Sequence, residues 1–306
     1  RDYWEVHATF VAAAGLYEGR WFDPSFKKDE HDPEKKDSRL WSLAKAQPGP
    51  ETPRGPHGTD PAHSTPSPRN ATTEESKPST QMSPALFDLT SLQREANSKF
   101  GFTAKTTLAL AQTLYERHKA LTYPRTDSRY LPEDYLGTVR QTFDTLSASD
   151  SHLNRGHKEF AGKILANGWV KPNRRIFDNK KVSDHFAIIP TLQVPKELSE
   201  AEAKIYDLVT KRFMAVFFPP AEYRITTRIT EVSQHRFKTE GKVLVKPGWL
   251  EIYGKESQGD DANLVPVENS ESVRTEDIAP KALQTKPPAR YTGATLLSAM
   301  EVAGKC

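Results

Sequence analysis

The sequence predicts an α+β protein of several domains, in which a discontinuous β arch domain is interrupted by a helical domain. Three patterns carry that prediction. Period-two runs of aromatic and β-branched residues stand near the start, apolar residues at helical spacing fill the middle, and alternation returns after residue 220. Strands on both sides of a helical block read as one β domain with an insertion.

The first arch segment is placed at 1–45. Within it Trp4-Glu5-Val6-His7-Ala8-Thr9-Phe10 and Leu16-Tyr17-Glu18-Gly19-Arg20-Trp21-Phe22 read as two strands around a Gly-containing break. From Pro33 to Pro84 lie ten of the chain's 23 prolines, mixed with Gly, Ser, Thr and charge. Such a composition buries too little apolar surface to order itself, so 46–70 is expected to be a disordered linker, with a return strand of the arch at 71–84.

The helical domain is expected over 85–220. Thr90 and Gln93 have capping-box spacing ahead of Leu92 and Ala96; Gly101 ends that helix, and Thr103 caps the next, whose Leu108, Ala111 and Tyr115 share a face. A third helix follows Ser199 and Glu202, with Ile205, Leu208, Val209, Arg212 and Val216 at helical spacing, and Pro219-Pro220 stops it. The second arch segment, 221–287, opens with Tyr223, Ile225, Thr227 and Ile229 alternating with Arg224, Thr226, Arg228 and Thr230, a half-buried strand. Phe237 to Val245 and Gly248 to Tyr253 continue the strand character. After Pro287-Pro288 a last helix begins near Thr292, so 288–306 reads as the start of a following helical domain. No internal repeat is visible.

Bulk properties exclude several classes. A chain of 306 residues with 36% hydrophobic content can bury a real core, while a net charge of +3 from 43 basic and 40 acidic residues leaves nucleic-acid attraction to local clusters. The single cysteine, Cys306, rules out a disulfide framework or a cysteine zinc cluster in this stretch and fits a reducing cytosol. No apolar run approaches the roughly 20 residues of a spanning helix, and the start at Arg1, without a methionine, reads as that of a fragment.

The chemistry concentrates in Leu121-Thr122-Tyr123-Pro124-Arg125-Thr126-Asp127-Ser128-Arg129-Tyr130. A tyrosine can attack phosphorus if something offsets its pKa of about 10 and something takes up the extra negative charge of the transition state. Arg125 offers planar, bidentate donors two residues away, and Pro124 restricts the backbone between them. Asp127 is placed to orient Arg125, and Arg129 to add positive potential. On residue types alone the run also reads as a turn between helices.

Leu121 to Pro132 resembles the active-site signature of type IA topoisomerases, on the bacterial topoisomerase III branch, with a nearly continuous match from Phe87 through Tyr135. Ser183-Asp184-His185-Phe186-Ala187-Ile188-Ile189-Pro190-Thr191 is similar to the family's histidine motif, and Pro288 to Leu297 to the segment entering the next domain. The resemblance implies that Tyr123 forms a 5′-phosphotyrosine on single-stranded DNA and frees a 3′-hydroxyl, with Arg125 on the scissile phosphate. His185 would be a phosphate contact and Thr292 a nucleotide contact. The helical domain would thus carry the active-site tyrosine, and the arch would hinge to open a DNA gate. Read without the family, His185 beside Phe186, Ala187 and Ile188 is a hydrogen-bonded core histidine, and Thr292 an N-cap. Gly293 departs from the acidic residue expected after that threonine. Arg174-Arg175 and Lys180-Lys181 form a basic cluster, either DNA contact or solvated surface, and Trp249 reads as core.

The family's Mg²⁺ is held by acidic residues of an N-terminal domain that this sequence does not show. Asp29-Glu30-His31-Asp32 and Asp260-Asp261 read as solvated loops rather than its ligands. The expected partners are single-stranded DNA and the remaining domains of the same protein, as a monomer in the cytoplasm at the nucleoid, with the fragment inactive alone. A noncatalytic single-strand DNA-binding module of the same descent is the alternative. A recombinase or a relaxase is a third, though the histidines are scattered and no two stand one residue apart.

Overall fold

The computed structural model describes residues 1–42, 45, 70–149, 155–254, 264–268 and 271–303. Helices and strands are both abundant, and the chain divides into two compact units. One holds Arg1–Ser79, Tyr223–Val245 and Asp260–Ala289; the other holds Thr80–Glu222, Lys246–Gly259 and Arg290–Cys306.

The first unit is built on strands β1 (Asp2–Ala12), β2 (Gly15–Phe22), β3 (Asn70–Gln81), β4 (Ala221–Val232), β5 (His235–Lys246) and β6 (Ser272–Gln284). They close into a barrel in the order β1-β2-β5-β4-β3-β6. β1 lies antiparallel to β2, from His7 opposite Arg20 to Ala12 opposite Gly15, and on its other side to β6, from Asp2 opposite Gln284 to Val11 opposite Arg274. Alternation does the sorting. Ala8, Phe10 and Ala12 of β1 are buried and join Tyr17, Phe237 and Val273 in the barrel core.

Three strand readings change. Asn70, expected to close the linker, begins β3; the rest of the linker, 46–69, lies outside the described residues. β6 escaped notice as a strand because Pro280 interrupts its pattern, yet Pro280 sits opposite Val6 in the ladder. In the second half of β4 the buried row is the polar one, with Arg228, Thr230 and Val232 inside while Ile225 is exposed. Arg228 is tolerated there because its guanidinium donates to Glu74 (3.0 and 2.7 Å) and to the Val265 carbonyl (2.6 Å), and lies over the Tyr17 ring.

The second unit contains helices α1 (Leu89–Phe100), α2 (Ala104–Glu116), α3 (Leu136–Ala148), α4 (Arg155–Ala166), α5 (Glu200–Ala215) and α6 (Gly293–Ala303). The cap of α1 is Asp88 with Ser91, two residues before the expected Thr90 and Gln93. Asp88 gains from this position because it also receives an arginine, described below. Gly101 ends α1 with φ 70°, and Thr103 caps α2 as expected. The buried stripe of α2 is Thr107, Ala111 and Leu114, which turns Tyr115 aside from the core. α3 and α4 fall inside the expected helical domain: Val139, Phe143 and Leu146 of α3 have helical spacing and are buried, and Phe143 stacks on Phe213 at 4.6 Å.

Gly248–Tyr253, read as a strand, is a 3₁₀ helix. Gly248 has φ 50°, and a Cβ there would collide with the carbonyl oxygens of Pro219 and Pro220, so the chain turns where only glycine fits. Trp249 is core, as expected: it is buried, and its indole donates to the Gln81 carbonyl at 2.9 Å.

The α5 capping box is Ser199 with Glu202. Burial alone would raise the Glu202 carboxyl, but the Ser199 backbone N–H and hydroxyl and His118 outweigh it and hold the group below its ordinary value. A depressed folded-state pKa contributes stability that is present above the unfolded value and lost as pH falls through the folded one. Glu202→Gln is therefore expected to lower stability at neutral pH and to flatten its decline below about pH 4.5, measured by urea unfolding from pH 7 to 3. An unchanged slope would show that Glu202 does not carry this dependence.

Candidate active site

The Tyr123 segment is an extended strip held from behind. Thr122, Pro124, Thr126 and Ser128 are buried, while Tyr123, Arg125, Asp127 and Arg129 alternate with them toward solvent or its margin. Period two puts Tyr123 and Arg125 on one side, about 7 Å apart along the strip.

The inward hydroxyls explain the fixity. Thr122 Oγ1 donates to the Ala187 carbonyl (2.9 Å) and accepts from Ile189 N (3.0 Å). Thr126 Oγ1 donates to the His185 carbonyl (3.1 Å), and Ser128 Oγ to the Lys181 carbonyl (2.8 Å). Backbone bonds add Thr122 N to Ile189 O, Ala187 N to Tyr130 O and Leu89 N to Thr126 O, each at 3.0 Å. Each net contribution is about 1 kcal/mol, but losing one would strand a buried polar group. The histidine motif is thus the backing of the tyrosine strip, and the run is not a free turn.

Tyr123 is braced by its ring. The His185 ring lies 4.3 Å away, centroid to centroid, and Tyr115 meets Tyr123 edge-on at 5.4 Å. His185 is exposed, so the core reading does not hold for it. The Tyr123 hydroxyl has no hydrogen-bond partner among the described residues.

Arg125 is exposed, and its partner was not foreseen. With its amide oriented by the hydrogen-bond network, Gln112 Oε1 accepts from Arg125 Nε (3.1 Å) and Nη2 (3.2 Å). Asp127, expected to orient Arg125, instead accepts from Ser183 Oγ at 3.3 Å. The sequence signal for Gln112 was weak: one amide in the apolar run Leu108-Ala109-Leu110-Ala111, three residues before Tyr115.

Arg129 is committed elsewhere. Its Nε donates to Asp88 Oδ2 (2.6 Å), and Nη2 lies 3.6 Å from Glu301 of α6. Thr292 caps α6, its Oγ1 accepting from Thr295 N at 3.2 Å. Gly293 has a local reason: a Cβ there would press on the Asn97 amide at 3.3 Å, whose Oδ1 accepts from Ala294 N at 3.0 Å. In the basic cluster Lys181 donates to the Tyr130 hydroxyl (3.1 Å), which holds its ammonium above the ordinary value.

Among the described residues no group of three or more His, Cys, Asp or Glu is arranged to hold a metal ion. The one carboxylate in the outward row, Asp127, falls short of the several oxygen ligands that Mg²⁺ takes. Asp29 is bound by Lys35 (2.7 Å) and Asp32 lies 3.5 Å from Arg1, as loop carboxylates. These residues do not fit a Mg²⁺ site.

Residues 1–304 match the family model described as DNA topoisomerase. The chain belongs to the DNA topoisomerase family. It is 43% identical over 244 residues to DNA topoisomerase 3 of Bacillus cereus, an alignment covering 76% of this chain and 32% of that protein. It is 39% identical over 226 residues to DNA topoisomerase 3 of Bacillus subtilis, covering 71% and 30%. The chain therefore spans about a third of the length of these relatives, and they place it on the topoisomerase III branch of the type IA enzymes. Full-length topoisomerase I from Thermotoga maritima has a similar fold, with a TM-score of 0.61 and 21% identity over 99% of this chain and 44% of that one.

The Gln112 contact in this topoisomerase-family chain predicts a measurable dependence. On the function proposed below, Gln112→Ala in the complete protein frees the guanidinium without removing it and is expected to lower the rate of DNA cleavage roughly 10-fold, the scale of one lost hydrogen bond to a charged group. Gln112→Glu, which still accepts, is expected to retain more activity. Equal losses in both variants would argue against orientation by this side chain.

Proposed function

We propose that this chain carries the nucleophilic part of a type IA topoisomerase, which cleaves one DNA strand, lets another pass and reseals the break. The observation that supports it best is the Tyr123–Arg125 pair, displayed on one side of a buttressed strip with Gln112 on the arginine and His185 against the tyrosine. The Tyr123 oxygen attacks a phosphodiester of single-stranded DNA; the O–P bond forms as the P–O3′ bond breaks. The phenolic proton passes to solvent or a base, and the leaving 3′ oxygen takes one up. Arg125 faces the phosphate oxygens, where a fixed guanidinium stabilises the charge that develops. His185, whose ring lies against that of Tyr123, contacts the phosphate beside it. Resealing reverses these steps.

In this reading Thr292 contacts a nucleotide near the N-terminus of α6, Asp127 and Arg129 line the DNA path, and the barrel unit is the arch that hinges. The complete protein would take Mg²⁺ on residues outside those described here, act as a monomer on chromosomal DNA in the cytoplasm, and relax or decatenate it. This 306-residue chain alone is not expected to relax a supercoiled plasmid. The test is to incubate the complete protein with an end-labelled single-stranded oligonucleotide, denature, digest and map the labelled peptide. Label on the peptide containing Tyr123 supports the reading; label on any other residue overturns it.

A further inference from the structure

Within the helical unit, away from the strip itself, a groove of about 500 Å³ opens between the segment that follows α4 and the end of α5. Trp169 and Phe218 form its aromatic wall, their rings in edge contact at 4.8 Å, and the half-exposed Met82 extends the apolar surface. Lys171 and Arg174 stand on its rim, both exposed. Neither has a carboxylate partner among the described residues, whereas many other cations of this unit, such as Arg129, Lys163, Lys204 and Arg212, are paired. Among the described residues no acidic residue lines this groove. A second groove of about 400 Å³ shares Pro172, Asn173 and Arg174 and continues the surface, and Glu133 is among its lining residues.

An apolar aromatic wall rimmed by Lys171 and Arg174, neither of them in an ion pair among the described residues, fits one ligand chemistry: an unpaired nucleic-acid strand, whose bases stack on aromatic faces while its phosphates meet Lys and Arg. Every nucleotide carries a planar base and a phosphate together, whereas an acidic protein surface would have to place a separate aromatic side chain beside its carboxylates. We infer that this groove is a second, noncovalent binding site for single-stranded DNA, with Trp169 as a base-stacking surface and Lys171 and Arg174 as phosphate contacts. The chain itself connects it to the strip. Leu131, eight residues after Tyr123, bridges to Phe177, and its N–H donates to the Ile176 carbonyl at 2.8 Å, two residues beyond Arg174. Eight residues span at most about 26 Å, within reach of a 16-nucleotide unpaired strand even at the 3.4 Å spacing of stacked bases. Such a strand could engage the groove while Tyr123 holds its phosphate. The DNA partner rests on the functional reading above, but the two can fail separately.

The experiment titrates the complete protein, without Mg²⁺, with fluorescein-labelled (dT)16 and (dT)4 over a range of salt, and compares it with a Lys171→Gln/Arg174→Gln variant. Both side chains are exposed, so the fold is expected to survive, which circular dichroism checks. Loss of two phosphate contacts is expected to reduce the log–log salt slope for (dT)16 by about 1.4 and to weaken binding several-fold at low salt, with (dT)4 little affected. In parallel, (dT)16 carrying 5-iododeoxyuridine is expected to photocrosslink to Trp169. An unchanged slope and affinity, or crosslinks that avoid Trp169, would overturn the groove assignment. Covalent capture at Tyr123 is scored separately: its failure alongside an intact Lys171/Arg174 effect would sink the catalytic reading and leave the groove.

Discussion

Tyr123→Phe is expected to abolish covalent capture of DNA, by more than about 10³-fold, while leaving the fold and noncovalent DNA binding close to wild type. The structure makes this substitution unusually clean. The ring is what holds Tyr123 in place, 4.3 Å from His185 and 5.4 Å from Tyr115, and phenylalanine keeps it. The hydroxyl has no partner among the described residues, so its removal strands no buried donor or acceptor. Loss of capture therefore reports chemistry rather than misfolding. The measurement is the fraction of labelled oligonucleotide that stays with the complete protein through denaturation, set beside anisotropy of the same oligonucleotide. Capture that persisted would remove Tyr123 from the nucleophile's place, and with it the reading of Arg125 as the arginine on the scissile phosphate.

Why the strip was legible, and its supports were not, follows from what each signal encodes. Tyr123-Pro124-Arg125 stood out through its match to a family over dozens of residues, because on residue types alone the run also reads as a turn. The alternation of Thr122, Thr126 and Ser128 with Tyr123, Arg125 and Asp127 is also written in the sequence, but small hydroxyl residues look the same in a turn as in a buttressed strip. Only the tertiary partners, Ala187, His185 and Lys181, separate the two. Gln112 was hidden for a related reason. A glutamine on a helix carries no mark of its partner 13 positions away. The fold shows the same division. Ser199 with Glu202 and Gly101 are local devices and read correctly, whereas Arg228 of β4 is buried because Glu74 and Tyr17, distant in sequence, receive it. Pro280 masked β6 because a strand rule based on donors does not report how a ladder accommodates one missing N–H.

Arg212→Ala is expected to give a large loss of stability in the helical unit, about 3 kcal/mol, because it removes the buried side of a charge pair whose carboxylate is only partly exposed. Arg212 of α5 is nearly inaccessible, and its guanidinium does three things at once. Nη2 pairs with Glu95 of α1, Nη1 donates to the Ala85 carbonyl at 3.0 Å, and the plane lies 4.1 Å over the Phe87 ring. Alanine would leave the Ala85 carbonyl unsatisfied, leave Glu95 with only Lys99 (3.2 Å) as a cation partner, and empty the space above Phe87. The damage is expected to reach the site through the same short segment. Phe87 O accepts from Ile188 N at 2.8 Å, and Asp88 next to it caps α1 and holds Arg129, so loosening residues 85–88 loosens the backing of the Tyr123 strip. Arg212→Lys is expected to recover only part of the loss, since an ammonium cannot fork to two acceptors and stack at once. Arg212→Met with Glu95→Gln is expected to recover more, because it removes the unpaired charge as well as the pair. Urea midpoints followed by tryptophan fluorescence measure all three. A loss below about 1 kcal/mol for Arg212→Ala would mean that solvent reaches Glu95 and offsets the missing partner, and the pair would then rank with ordinary surface bridges.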